Sequence, residues 1–227
     1  MMTISLIIPC YNEEKAIPAV LSQVQQLGER FKCAGHTLEV IVVDDRSLDN
    51  SLKILSGYKD IKVISNSTNL GYGGSLKKGF SVAGGDFIAF MDMDDTYQIA
   101  DLEEMIAQAN HHRVVIGERF TKGQGFDFVR RSGNIIYSKI IQLHKGAKVM
   151  DPCSGFRVFH RELVTDFVEL SNNDLSYSLE MTLHLIKKNI SFVEHAIRYE
   201  TRVGQSKLNV LTDGLRFLWT IIRPSSL

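Results

Sequence analysis

Three carboxylates in four positions, Asp92, Asp94 and Asp95, follow the apolar run at residues 87–91. Strand geometry sends alternate side chains to one side, so Asp92 and Asp94 start by pointing together where the strand runs out. Two hard oxygen ligands at a strand's carboxyl end suit Mg²⁺ or Mn²⁺ held jointly with substrate phosphates. A plain polar turn would use the same residue type, so other strand ends must weigh in. The run at 4–8 stops at Pro9 and leads to Tyr11, Asn12 and Glu13; the run at 38–43 stops at Asp44 and Asp45; a third, from 114, ends on Glu118 and Arg119. Open parallel sheets bind ligands beyond the carboxyl ends of their strands. Acidic and aromatic endings gathered on one rim favour a site over turn composition. Farther along, residues 198–207 are dense in cations and hydroxyls, and Arg202, Ser206 and Lys207 together could clamp a diphosphate.

These tips need elements to carry them. Ile17, Val20, Leu21, Val24 and Leu27 recur at helical spacing. Residues 47–50 offer caps for a helix through about Leu55, and a short strand follows at 61–64. Asn69 to Gly79 is a Gly-rich turn into a short helix; it lacks the Walker spacing, so a loop is favoured over a phosphate cradle. The alternation of strand and helix argues an α/β fold with a mostly parallel central sheet flanked by helices. The second half adds helices near 102–110, 128–144, 160–170 and 175–188, a turn with a β-like segment at 150–159, and a strand at 190–197. A final amphipathic helix, 208–222, carries Leu211, Leu215, Leu218, Trp219 and Ile222. Its stripe is read as core packing ahead of a membrane-surface face. With no repeat or linker, residues 1–227 read as a single domain, its first half to 117 binding the donor and its remainder the acceptor.

Lys plus Arg and Asp plus Glu both number 26, a net charge of zero that gives no reason to expect nucleic acid. Cys10, Cys33 and Cys153 are scattered and odd in number, as in a reducing compartment. No signal peptide opens the chain, and no run approaches the roughly 18 apolar residues of a membrane span. The expected location is the cytoplasm, or the cytoplasmic face of a membrane through peripheral association or a membrane partner protein.

Five stretches give the chain a family likeness: Ile8-Pro-Cys-Tyr-Asn-Glu13, Val42-Val-Asp-Asp-Arg-Ser-Leu-Asp49, Met91-Asp-Met-Asp-Asp95, and Asp151-Pro-Cys-Ser-Gly-Phe-Arg157 with Arg202-Val-Gly-Gln-Ser-Lys207. The chain resembles family 2 glycosyltransferases of the GT-A fold, and within them the dolichyl- and polyprenyl-phosphate sugar transferases. The resemblance implies that Pro9, Tyr11, Asn12, Glu13, Val42, Asp44 and Asp45 hold the nucleotide, with Asp92, Met93, Asp94, Arg119, Arg202 and Lys207 completing the nucleotide-sugar site. It implies Mg²⁺ or Mn²⁺ on Asp92 and Asp94, with Thr96 where several relatives offer Gln. Arg119, Arg131, Ser154, Arg157 and Ser206 are implied to meet the acceptor phosphate. Position 46 is Arg where the family usually has Gly, which marks the turn after Asp45 as a departure.

Cleaving a sugar–nucleotide bond leaves negative charge on the departing diphosphate, so a metal at Asp94 and fixed cations at Arg202 and Lys207 would assist. A phosphate acceptor is already anionic; a hydroxyl acceptor needs a base, and Asp151 and Glu180 are the candidates. The expected reaction is inverting transfer of a hexose from GDP-mannose or a UDP-hexose to a polyprenyl phosphate. A soluble transferase using a hydroxyl acceptor and a non-catalytic nucleotide-binding module are the alternatives.

Overall fold

The computed structural model describes residues 1–122, 128–202 and 210–223. Its first half alternates as expected: β1 (Thr3–Cys10), α1 (Ile17–Cys33), β2 (Thr37–Asp44), α2 (Ser51–Leu55), β3 (Lys62–Ser65), α3 (Gly71–Val82) and β4 (Phe87–Phe90). There follow α4 (Asp101–Ala109), β5 (Val114–Glu118), α5 (Phe128–Lys145), β6 (Arg157–His160), α6 (Val164–Val168), α7 (Tyr177–Lys187), β7 (Phe192–Ala196) and α8 (Val210–Ile222). A short 3₁₀ turn, Arg161–Leu163, precedes α6, so the helix expected over 160–170 is shorter and starts later.

The sheet order is β3-β2-β1-β4-β6-β5-β7. The first four strands in this order are mutually parallel, and β5 is parallel to β7. β6 lies antiparallel between β4 and β5, so it alone runs against the others among the described strands. Registers of Cys10 with Asp44 and Ile7 with Phe90 bring the ends of β1, β2 and β4 to one rim.

Alternation along the buried strands feeds two cores. Ile4, Leu6, Ile8, Val40 and Val42 face α1 and α4, whereas Ile7, Ile41 and Val43 face α3, α6 and α7. A third cluster, built on Ile141, Leu179, Leu183, Phe217 and Ile221, joins α5, α7 and α8. The Gly-rich stretch, read as a turn into a short helix, is helical from Gly71 onward. A Cβ on Gly73 would lie 2.7 Å from Tyr177 Cβ, and one on Gly79 would lie 3.3 Å from Val43 Cγ2. These glycines let α3 approach α7 and the sheet closely. The reading of α8 as core is half right. Phe217 and Ile221 are buried, but Leu215, Trp219 and Ile222, three of the stripe residues, are 70%, 61% and 49% exposed.

Candidate active site

Each strand tip is shaped by local hydrogen bonding. Asn12 takes a left-handed conformation (φ 52°), a region Asn tolerates better than most residues. It donates its N–H to Ser47 Oγ (2.9 Å) and accepts the Leu48 N–H on Oδ1 (2.6 Å), strapping the β1 tip to the β2 tip. Arg46 is also left-handed (φ 62°), so the turn after Asp45 keeps the conformation that glycine would favour.

Asp45 accepts hydrogen bonds from Asn66 Nδ2 (2.8 Å), Leu70 N (2.7 Å) and Gly71 N (2.8 Å). Its carboxylate thus sits at the positive end of α3, where the helix dipole favours an anion. Asp44 is fully buried and accepts the Ser47 N–H at 3.3 Å.

The tip of β4 supplies the acidic pair. Asp94 accepts the Thr96 hydroxyl at 2.6 Å, and its other oxygen lies 3.4 Å from Arg202. The same guanidinium pairs with Glu13, so one cation spans the β1 and β4 tips. Asp92 has an oxygen shut off from solvent with no hydrogen-bond partner. Its burial, and next the Asp94 charge, raise its pKa to about 7. An orphaned carboxylate oxygen beside a second carboxylate fits a divalent cation. Among the described residues no group of three or more His, Cys, Asp and Glu could hold a metal alone. Substrate phosphates would have to complete its coordination.

A cavity of about 480 Å³ opens on this rim, within the size range of small-molecule sites. Pro9, Tyr11, Glu13, Asp45, Asp92, Met93, Asp94, Arg119 and Arg202 share its wall. Both halves of the chain contribute to the wall. Gly133, Asn134 and Tyr137 of α5 and Asp213, Gly214, Arg216 and Phe217 of α8 line it together with residues of the first half.

Other expected residues are elsewhere. Val42 is core beneath α1, and neither Asn12 nor Asp44 is among the residues of the cavity wall. Asp151 is fully buried and holds Arg119 by two hydrogen bonds of 2.7 and 2.8 Å, so it orients a cation and is no spare base. Burial opposes the Arg119 charge, but Asp151 together with Tyr97 and Tyr199 keeps that pKa well above the ordinary value. Glu180 is a correction of the same kind. It accepts from Ser171 and Asn172, pairs with Arg223, and lines a separate cavity beside α6.

Arg157 is fully buried and gives Nε to the Ser154 carbonyl and Nη2 to the Pro152 carbonyl and the Thr182 hydroxyl, while its Nη1 has no hydrogen-bond partner. Burial lowers its pKa to about 10. Ser154 is equally buried, accepting the Phe156 N–H at 3.3 Å. Arg131 is exposed and lies over the Phe120 ring at 5.9 Å. None of these three lines the cavity, so none is placed to meet an acceptor there. Ser206 and Lys207 lie outside the described residues. Thr96 is 1% exposed with its hydroxyl given to Asp94, which makes it a support for that carboxylate.

Sequence reasoning missed Tyr72, Asn134, Tyr137, Cys153, Ser178, Tyr199 and the α8 residues of the wall. These are ordinary helix and loop residue types, and only the fold brings them together. Burial, and then Asp151, push the Cys153 thiol up to about 12, so it stays protonated and non-nucleophilic at neutral pH.

Comparison with known proteins follows the same lines. The model of glycosyl transferase family 2 matches residues 5–167. A dolichyl-phosphate hexose transferase of Haloferax volcanii is 27% identical over 222 residues, covering 97% of this chain and 92% of that protein. A dolichol-phosphate mannosyltransferase of Pyrococcus furiosus is 29% identical over 235 residues, covering 98% of this chain but only 64% of that protein. The Mycobacterium tuberculosis glucosyl-3-phosphoglycerate synthase, solved with Mn²⁺, UDP and phosphoglyceric acid, gives a TM-score of 0.74 at 17% identity, over 97% of this chain and 78% of that one. That last likeness is one of fold.

Proposed function

The chain belongs to glycosyl transferase family 2, and from that membership we propose that it moves a hexose from a nucleotide sugar to a polyprenyl phosphate. The names of its relatives support the acceptor: dolichyl phosphate stands in those of the Haloferax hexose transferase and of a Dictyostelium discoideum β-glucosyltransferase. The observation that carries the reading is the state of the carboxylates on the cavity wall.

Glu13 is paired with Arg202, Asp45 caps α3, Asp174 accepts from Ser176, and Asp213 is paired with Arg216. Asp94 is held by Thr96 and by the same Arg202, so among the described wall carboxylates Asp92 keeps an oxygen with no hydrogen bond. With Asp92 and Asp94 given to the metal, no carboxylate of the described wall is left to take a proton from a hydroxyl acceptor. A phosphate monoester attacks as an anion and needs none.

Asp92 and Asp94 would hold Mg²⁺ or Mn²⁺, which supplies charge stabilisation for the leaving diphosphate. Tyr11 and Pro9 flank the nucleotide end, and Arg202 places positive charge between Glu13 and Asp94. Arg119, held rigid by Asp151, offers a fixed cation to an incoming phosphate. Attack from the face opposite the diphosphate forms one C–O bond as the other breaks, with inversion. Contact with lipid would be made by the exposed apolar residues of α5 and α8.

The test is transfer of radiolabelled sugar from UDP-glucose or GDP-mannose into organic solvent with added polyprenyl phosphate and Mn²⁺. A β-linked lipid product from the α-linked donor, abolished by Asp94→Ala, is expected. An α-linked product, or full turnover by the Asp94→Ala protein, would overturn the mechanism; product confined to the aqueous phase would move the acceptor to the hydroxyl class.

A further inference from the structure

Three oxygens on the cavity wall have no part in the reaction as described. Tyr72 on α3, Asn134 on α5 and Ser178 on α7 line the same cavity. The Tyr72 hydroxyl, Asn134 Oδ1 and Ser178 Oγ are each shut off from bulk solvent and lack a well-formed hydrogen bond. Asn134 is 4% exposed and Ser178 2%. The Asn134 amide donates Nδ2 to the Met150 carbonyl at 2.9 Å. Turning the amide over would set oxygen against oxygen, so Oδ1 is the free end.

The Tyr72 hydroxyl lies beside Asp92 and Ser178. Both it and Asp92 press on Gly155, where a Cβ would fall 2.8 Å from the hydroxyl and 2.9 Å from Asp92 Oδ2. Glycine at 155 therefore leaves room for these two groups to share the cavity floor.

Buried polar groups are almost always paired within the protein, and those that are not call for an explanation. Three such groups, from three helices, gathered in one cavity point to a ligand that pairs them. Their chemistry narrows its class. All three are neutral; the two hydroxyls both donate and accept, and the amide oxygen accepts. A phosphate would call for cations and a polyprenyl chain for apolar walls, whereas a polyol matches this set. Tyr72 and Ser178 also stand next to Asp92, where the donor's diphosphate is proposed to be held.

We propose that Tyr72, Ser178 and Asn134 form the subsite that reads the hydroxyls of the transferred hexose, an inference that rests on the donor reading above. A site whose buried polar groups are paired only by substrate hydroxyls discriminates strongly against an analogue lacking one.

The experiment compares the full chain with its Tyr72→Phe and Ser178→Ala variants. It measures thermal midpoint, UDP and GDP binding with Mn²⁺, and transfer from UDP-glucose or GDP-mannose against their deoxy-hexose counterparts. Neither hydroxyl makes a well-formed hydrogen bond within the protein, so the midpoint of the free protein is expected to fall little if at all. Nucleoside diphosphate affinity should stay within about two-fold, while kcat/KM for the hexose donor and its ratio over a deoxy-hexose donor both fall by about ten-fold or more.

A hexose-to-deoxy-hexose ratio unchanged in both variants would overturn the subsite while leaving the donor reading intact. So would a lowered midpoint with hexose transfer kept, the mark of a merely structural role. Failure of the unaltered chain to bind either nucleoside diphosphate would defeat the donor reading and the subsite with it.

Discussion

Burial and the Asp94 charge hold the Asp92 pKa near 7, against the pull of Tyr72, Arg119 and Arg202. In the unfolded chain the same group titrates near its ordinary value of 3.8. Between those two values the folded state binds the extra proton, so this carboxyl stabilises the metal-free protein at low pH. That contribution is fully present below 3.8 and is lost as pH rises through 7. Urea unfolding of the metal-free protein from pH 4 to 8 should therefore show a downward slope that Asp92→Asn flattens. Equal slopes in the two proteins would refute the assignment. Arg46 belongs to the same scale. A left-handed non-glycine residue costs about 1–2 kcal/mol, and Arg46 sets against this a hydrogen bond to the Ser67 carbonyl at 3.2 Å.

Glu180 and Arg223 act at the scale of whole elements, because together they hold α8 on α7. Arg223 also donates to Asn172 Oδ1 at 3.0 Å, and Asn172 reaches Thr220 Oγ1 at 3.1 Å, so the loop before α7 joins the clasp. Both charged side chains are mostly buried, at 15% and 10% exposure. Breaking such a pair strands the remaining charge, so Glu180→Ala should lower stability by about 3 kcal/mol in urea unfolding. Nucleotide binding should survive, since Glu180 does not line the donor cavity. Lost turnover with unchanged stability would instead restore Glu180 as the base.

The strands whose ends make the site were legible because buried parallel strands read as apolar runs, and their carboxylate endings stand out against that background. The partners of Asp151 and Glu180 were not. Each pairs with a cation 32 or 43 positions away, a distance at which sequence carries no pattern. Tyr72 and Ser178 were invisible for a different reason. Their value lies in lacking a well-formed hydrogen bond, a property of the folded cavity alone. Four residues of β6, flanked by turns, likewise gave no sign of their direction.

At the scale of the molecule, α5 and α8 pack together and still leave Ile136, Leu143, Leu215, Trp219 and Ile222 facing outward. No helix among the described residues is long and apolar enough to cross a membrane. A surface-lying role is what this face can serve, beside a cavity proposed to receive a lipid phosphate. Burying a large apolar side chain contributes about 1.5–3 kcal/mol, so Trp219→Glu should weaken liposome flotation roughly ten-fold or more. Absence of flotation by the unaltered chain at any lipid composition would remove the idea.

The reversed strand β6 has a consequence for how the chain comes off the ribosome. β1 to β4 can zip together in the order in which they emerge, each beside a neighbour already made or soon to be. β5 has no such luck: both strands that flank it, β6 and β7, are synthesised later. Until they arrive it is an apolar ribbon with two open edges, and such ribbons invite mispairing. The nascent polypeptide is thus most exposed to aggregation just after Asp92 and Asp94 have been built.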